Sequence, residues 1–355
     1  DELVALVGEP VARAFGALPQ GNWEGTNVLW RPLTVAAVAA EAGTETDELG
    51  RRIETARAVL FAAREGRVRP GVDDKVLTAW NAMAITALAE SGRAMGSPAY
   101  VDAARACAAF VWEHLRDERG RLLRSWRAGV AGRPGYADDH ALLASALLTL
   151  YETTFELRWF EASRRLVEDL LDRFHDEQRG GFFQTAADAE PLVVRPKELY
   201  DNATPSGNSA AAEVLLRLAA LTGVARYEEA ALGALRLVRD VMGRAPTAFG
   251  HALSALDRTL GPGREVAIVG DPDDAATRAL IREVTTARHL PNVSIAVSRP
   301  DDPAARELVP LLRGRTLVDG RPAAYVCERF ACRLPVTDPA ALAAELTDEP
   351  LGASR

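Results

Sequence analysis

Ala141-Leu-Leu-Ala-Ser-Ala-Leu-Leu-Thr-Leu-Tyr-Glu152 is apolar on nearly every side of a helix and rich in small side chains. A helix with no wet face must be buried on several sides. The stretch has counterparts at Val76–Glu90 and after Ser206, and each is followed by a second helix with charges on one face, such as Val101–Arg116 or Glu161–Arg173. Three segments, Asp74–Leu115, Asp139–Phe174 and Ser206–Met242, therefore share one plan. A polar cap opens each, a buried helix follows, the chain breaks, and an aromatic restarts it. The restart aromatics Tyr100, Phe160 and Tyr227 lie 60 and 67 residues apart, and Trp80, His140 and Asn208 stand 20, 20 and 19 residues before them. Such a period marks a repeat architecture. A fourth inner helix is predicted from near Pro246 through His251 to Leu256, and an unpaired helix over Glu48–Arg64.

The predicted fold is therefore mainly α: an α/α toroid of helix hairpins over 1–262, with inner buried helices and outer amphipathic ones. From Arg264 the texture changes. Glu265–Gly270, Val293–Ser298 and Ala323–Cys327 read as buried strands around a helix at Ala275–Ala287, giving a small α/β segment over 263–355. Val-Gly-Asp-Pro lacks the glycine pattern that cradles a dinucleotide, so no nucleotide site is expected there. The long linkers 120–135 and 180–207, the second with Gly-Gly-Phe-Phe and a Leu-Val-Val strand, precede inner helices and should gather at one rim.

The formal charge of −8 and pI near 5.4 give no pull toward nucleic acid or an anionic membrane. Arg51, Arg52, Arg57 and Arg64 alternate with Glu48, Glu54 and Glu65, which is a solvated helix face. No apolar run is long enough to span a bilayer. The chain opens on Asp1 rather than Met and reads as a piece of a longer protein. Three cysteines are too few for a disulfide framework or a four-ligand zinc site. Cys107 reads as a core residue and Cys327 with Cys332 as a pair of buried thiols, which points to a reduced, cytoplasmic setting without metal or cofactor.

Five motifs together resemble the spermatogenesis-associated protein 20 family: Val72-Asp-Asp-Lys-Val-Leu-Thr-Ala-Trp-Asn81, Tyr136-Ala-Asp-Asp-His140, Gly180-Gly-Phe-Phe183, Asp201-Asn-Ala-Thr-Pro-Ser-Gly-Asn208 and Tyr325-Val-Cys-Glu-Arg-Phe-Ala-Cys332. Gly21-Asn-Trp-Glu-Gly-Thr-Asn-Val-Leu29 agrees. The resemblance implies a thioredoxin-like domain upstream of a toroid similar to six-hairpin glycosidases and sugar 2-epimerases. It implies twelve helices in a closed ring, against the roughly nine that the pattern yields, so the ring is open or completed by other material.

Three constellations carry candidate chemistry. Asp73, Asp74, Asp138, Asp139 and Asp201 precede inner helices, where two facing carboxylates could cleave a glycoside or where each could simply cap its helix. Asp139 and Asp201 form the first pair to consider. His140 and His251 stand near inner-helix starts, placed to move a proton beside a sugar carbonyl; His114, His175 and His289 read as surface residues. Trp80, Asn81, Tyr136, Phe182, Phe183, Lys197, Tyr200, Ser206 and Asn208 mix aromatic faces with polar groups, as a sugar site does; Trp80 packed inside the ring is the alternative. A carbohydrate-active or carbohydrate-binding toroid is the functional expectation, against a non-catalytic scaffold for the upstream domain.

Overall fold

A computed structural model describes residues 1–261, 263–285 and 292–347. His289, the end of the helix expected to reach Ala287, and the last eight residues lie outside the described residues. The chain divides into two compact units, Asp1–Asp73 and Asp74–Arg355.

The first unit holds α1 (Glu2–Val7), α2 (Glu9–Ala14), α3 (Val35–Ala42) and α4 (Thr46–Glu65) around Val11, Val38, Leu49 and Ile53. Thr34 starts α3 by accepting from the Ala37 amide. In the Gly21–Leu29 motif, Asn22 bonds the backbone of Gly16 and Val28, and Asn27 bonds Leu18. These asparagines fix a loop.

The second unit begins with β1 (Val76–Leu77), α5 (Thr78–Met95) and α6 (Pro98–His114). It continues through the hairpin β2 (Leu123–Arg127) and β3 (Val130–Pro134) to α7 (Ala137–Thr154) and α8 (Leu157–Phe174). After a long linker come α9 (Gly207–Thr222), α10 (Ala225–Met242) and α11 (Gly250–Leu260). Helices α5, α7, α9 and α11 pack side by side as an inner row, and α6, α8 and α10 back them, forming an arc of the α/α-toroid kind. Alanines such as Ala82, Ala89, Ala141, Ala144, Ala211 and Ala212 are buried in the inner row, where small side chains bring helices close. The outer helices bury one stripe, for α8 Trp159, Phe160, Ser163, Leu166, Val167, Leu170 and Phe174. Of the restart aromatics, Phe160 and Tyr227 are buried and Tyr100 is exposed.

The rest of the unit comprises β4 (Arg264–Val269), α12 (Ala275–Thr285), β5 (Val293–Ser298), α13 (Pro303–Leu308), β6 (Ala323–Glu328), β7 (Ala331–Cys332) and α14 (Pro339–Thr347). The sheet order is β5-β4-β6-β7, with β4 and β5 parallel and the other pairs antiparallel. Its side chains alternate faces. Ala267, Val269, Ala296, Ala323 and Tyr325 join the core of the helical arc. Val266, Ile268, Ile295, Val297, Ala324 and Val326 face a second core with Leu280 of α12 and Leu342 of α14.

Three expectations are corrected. The linker 120–135 is a β-hairpin that pairs with β1. Leu192, Val193 and Val194 form an exposed loop, not a strand: among the described residues no strand pairs with them. The described residues up to Leu260 hold eleven α-helices against the roughly nine expected; α1–α3 are short, and their few turns leave too little periodicity to read.

Phe160 is fully buried against Tyr151. Phe160→Ala should lower stability by about 3–5 kcal/mol through lost burial and a cavity. Tyr100→Ala at the equivalent but exposed position should change it by under ~1 kcal/mol, both read from urea denaturation.

Candidate functional site

The first turns of the inner helices converge at one rim. Gly207 opens α9 against the backbone of α7: a Cβ there would meet the Asp138 nitrogen at 3.0 Å, which explains the glycine. Asp139 ties α7 to α5. Its carboxylate accepts from the Tyr136 amide at 2.9 Å, the Ala79 amide at 3.2 Å and the Arg124 guanidinium at 2.8 Å. Burial and the neighbouring Asp138 push its pKa up to about 6, opposed by the Tyr136 N–H and Arg124. Asp201 does the same for α9 and α11, accepting from the amides of Ser206 (2.9 Å), His251 (2.9 Å) and Ala252 (3.1 Å). Both aspartates therefore satisfy helix amides that would otherwise be orphaned.

Several other residues expected at the site are held by the fold. Asn208 Oδ1 accepts from the Phe182 amide, and its Nδ2 donates to the Phe182 and Glu198 carbonyls. Ser206 caps α9 through the Ser209 amide. Asn81 donates to the carbonyl of Leu77, the residue that precedes its helix, and accepts from the Cys107 thiol. Lys197 bonds Asp176 at 2.7 Å and the Gly180 carbonyl at 2.6 Å, and it shares the Phe183 ring with Arg195. Asp74 pairs with Arg127 on the surface. His140 is buried, with Nδ1 2.8 Å from the Tyr136 carbonyl and Nε2 2.9 Å from Asp169.

Other rim groups remain open. Trp80 is 63% exposed at the start of α5, and Tyr200 is 51% exposed with its ring 5.2 Å from Phe249. Tyr136 lies half-buried beneath the Arg124 guanidinium, 4.6 Å from its ring centre. Asp138 takes Arg124 at 3.3 Å. Glu198 joins this group: burial raises its carboxyl pKa, as do Asp138 and Asp201, while Arg124 lowers it. Glu198 was missed in sequence because it lies in a loop without periodicity.

The axis of the arc is polar, against the expectation of inner helices apolar nearly all round. Ser145, Thr149 and Glu152 of α7 face Glu213 and Arg217 of α9. Buried Arg217 donates to Ser145 (3.2 Å), Thr149 (2.9 Å) and Glu213 (3.3 Å), and pairs with Glu152. Burial opposes its charge, but Glu152 and Glu213 hold its pKa above the usual value. His251 Nε2 lies 3.1 Å from Glu213 Oε2, though out of line for a straight hydrogen bond. Glu213 is drawn down to about 2: burial opposes the charge, and His251 and Arg217 more than offset it. At the far end, the Ile295 amide of β5 donates to Glu152 at 3.4 Å, and Arg258 reaches Ser294 at 3.4 Å. The signal was present in sequence as charges breaking an apolar run, with Glu213 and Arg217 at helical spacing.

The chain is 32% identical over 339 residues to human spermatogenesis-associated protein 20, and 33% identical over 339 residues to the mouse protein. The aligned region covers 91% of this chain. The chain is a relative of spermatogenesis-associated protein 20. It spans 42% of the length of the human and mouse spermatogenesis-associated protein 20 chains. No family model matches it. Among solved structures, cellobiose 2-epimerase from Spirochaeta thermophila DSM 6192 is 19% identical, with a TM-score of 0.39, over 46% of this chain and 43% of that one. The GH76A α-1,6-mannanase of Salegentibacter sp. HEL1_6 is 14% identical, with a TM-score of 0.39, over 67% and 69%. Among the described residues, no helix is long and apolar enough to cross a membrane, and no group of three His, Cys, Asp or Glu is placed to hold a metal ion.

The Glu213–His251 pair sets a pH window for stability. Glu213 lies below its ordinary 4.5, so its contribution is present above that pH and is lost as pH falls toward about 2. For His251, burial disfavours the charge but Glu213 and Asp201 raise the pKa above 6.5. Its contribution is full below 6.5 and is lost as pH rises through the raised value. Glu213→Gln should cost about 3 kcal/mol between pH 5 and 6 and flatten both limbs of a stability–pH curve measured by chemical denaturation.

Proposed function

We propose that the inner-helix rim is a carbohydrate site. The supporting observation is that Trp80 and Tyr200 stand exposed at the same rim as a carboxylate group, Asp138 and Glu198, that the helix ties leave unused. Aromatic faces stack on pyranose rings, and carboxylates bond hydroxyl groups. In this reading Glu198 is the acid: its raised pKa suits it to protonate a glycosidic oxygen. Asp138, beside Arg124, is the ionised partner that attacks the anomeric carbon or activates water. Asp139 and Asp201 orient the rim. The epimerase variant needs two facing imidazoles; both nitrogens of His140 are engaged by fold partners, which favours glycoside chemistry over it.

The rival reading is a non-catalytic scaffold that grips an upstream thioredoxin-like domain. It is favoured by the commitment of Asp139 and Asp201 to backbone amides and by the Arg217 network that occupies the axis. A cytoplasmic location belongs to either reading and is tested by cell fractionation.

A thermal-shift screen against mono- and disaccharides separates the two. A binding sugar present at a hundred times its Kd should stabilise the chain by about 2.7 kcal/mol. Trp80→Ala should abolish that shift, and Glu198→Gln should retain binding while losing turnover. Because Glu198 must be protonated, turnover should fall as pH rises. The carbohydrate proposal fails if no sugar shifts the melting of the parent chain while an added thioredoxin-like domain does.

A further inference from the structure

Cys327 and Cys332, expected as two buried thiols, are joined as a disulfide, because β6 and β7 place them directly opposite each other. Three features set this bridge apart from a structural staple. It closes a loop of six residues, the short end of the range, where a cross-link removes least entropy from the unfolded chain. The hairpin it spans is already held: Arg329 and Phe330 turn at φ 50° and 65°, and both of their amides donate to the Glu265 carboxylate, at 3.1 and 3.0 Å. The third feature is charge. Arg315 Nη2 lies 2.8 Å from Cys332 Sγ and 4.0 Å from Cys327 Sγ.

Among the described residues, Arg315 has no carboxylate partner; its other neighbour is the Tyr325 ring, and its Nε is buried without a hydrogen bond. A guanidinium in that state is poised to receive an anion that the oxidised protein does not supply. Reduction supplies one, since a thiolate beside a cation is stabilised. The two sulfurs are also unequal: Cys327 is fully buried and Cys332 is partly exposed.

We propose that Cys327–Cys332 is a thiol–disulfide exchange site that takes two electrons from a dithiol, with Arg315 stabilising the thiolate form. The reagent thiolate attacks the accessible Cys332 Sγ. The S–S bond breaks, and its electron pair leaves with Cys327 Sγ, which then takes a proton. The reagent's second thiolate attacks the mixed disulfide at the reagent sulfur, so that a cyclic reagent disulfide forms and Cys332 leaves as a thiolate beside Arg315. The dithiol is oxidised by two electrons, and the protein disulfide is reduced by two. Glu265 keeps the hairpin closed throughout, so the two thiols stay adjacent for reoxidation.

The test equilibrates the intact chain with mixtures of reduced and oxidised dithiothreitol, traps thiols by alkylation and counts them by peptide mass spectrometry. Cys107, whose thiol pKa is raised by burial, is resolved on its own peptide. The wild-type pair should reduce while the chain remains folded by circular dichroism. Arg315→Gln should need about a tenfold higher ratio of reduced to oxidised reagent for half-reduction, a shift of about 30 mV, and Arg315→Lys should stay near wild type. Reduction only together with unfolding, equal midpoints for wild type and Arg315→Gln, or an Arg315→Lys that follows Arg315→Gln would each overturn the proposal. Should Arg315→Gln not fold, the alkylation rate of Cys332 against pH in Cys327→Ser decides. An inflection below the ordinary thiol value of about 8.5 supports the site, and one at or above it sinks it.

Discussion

Four inner helices that start at one rim bring their unsatisfied N-terminal amides together, and the structure depends on how those amides find acceptors. Side chains at the rim supply them across helix boundaries. Asp139 takes an amide from α5 as well as that of Tyr136 just ahead of its own helix, and Asp201 takes two from α11 and that of Ser206 just ahead of α9. Each carboxylate so placed is both a cap and a cross-brace, and its charge is favourable at the positive ends of two helices at once. The close packing of α7 on α9 at Gly207 follows from the same convergence.

The axis solves the opposite problem. Alanine and leucine fill the spaces between neighbouring inner helices, but the surface turned to the centre of the arc carries Glu152, Glu213, Arg217 and His251. Buried charges persist only when paired, and here a single arginine reaches four oxygen-bearing side chains. The network continues to Ser294 and Ile295, so β5 adds polar partners to the charged axis of the helices.

The helical repeat and the β-strands were legible because periodicity survives translation into structure: α4, the inner helices and β4–β6 lie where the apolar pattern puts them. Three residues of the motifs, Asp139, Asp201 and Asn208, do backbone work that few other side chains can do. What the sequence withheld was partnership over distance. Nothing near Glu198 announces that Asp138, sixty residues away, raises its pKa. Nor does Cys-x-x-x-x-Cys reveal that a two-residue turn will set the sulfurs face to face, or that Arg315 will come beside them.

Arg124 binds Asp138 and Asp139 from the β-hairpin that leads into α7. It is at once a partly exposed cation at the rim and the counterion of buried Asp139. An anionic group that engaged Arg124 would therefore compete with the fold for one guanidinium. A ligand that recruits Arg124 leaves Asp139 buried with less compensation, and the carboxyl already inclined to protonate would take up a proton in response. Occupancy of this rim by an acidic ligand would thus be coupled to proton uptake at Asp139, the carboxylate that Arg124 touches directly, and the affinity of such a ligand would depend on the solution's pH as much as on the surface it meets.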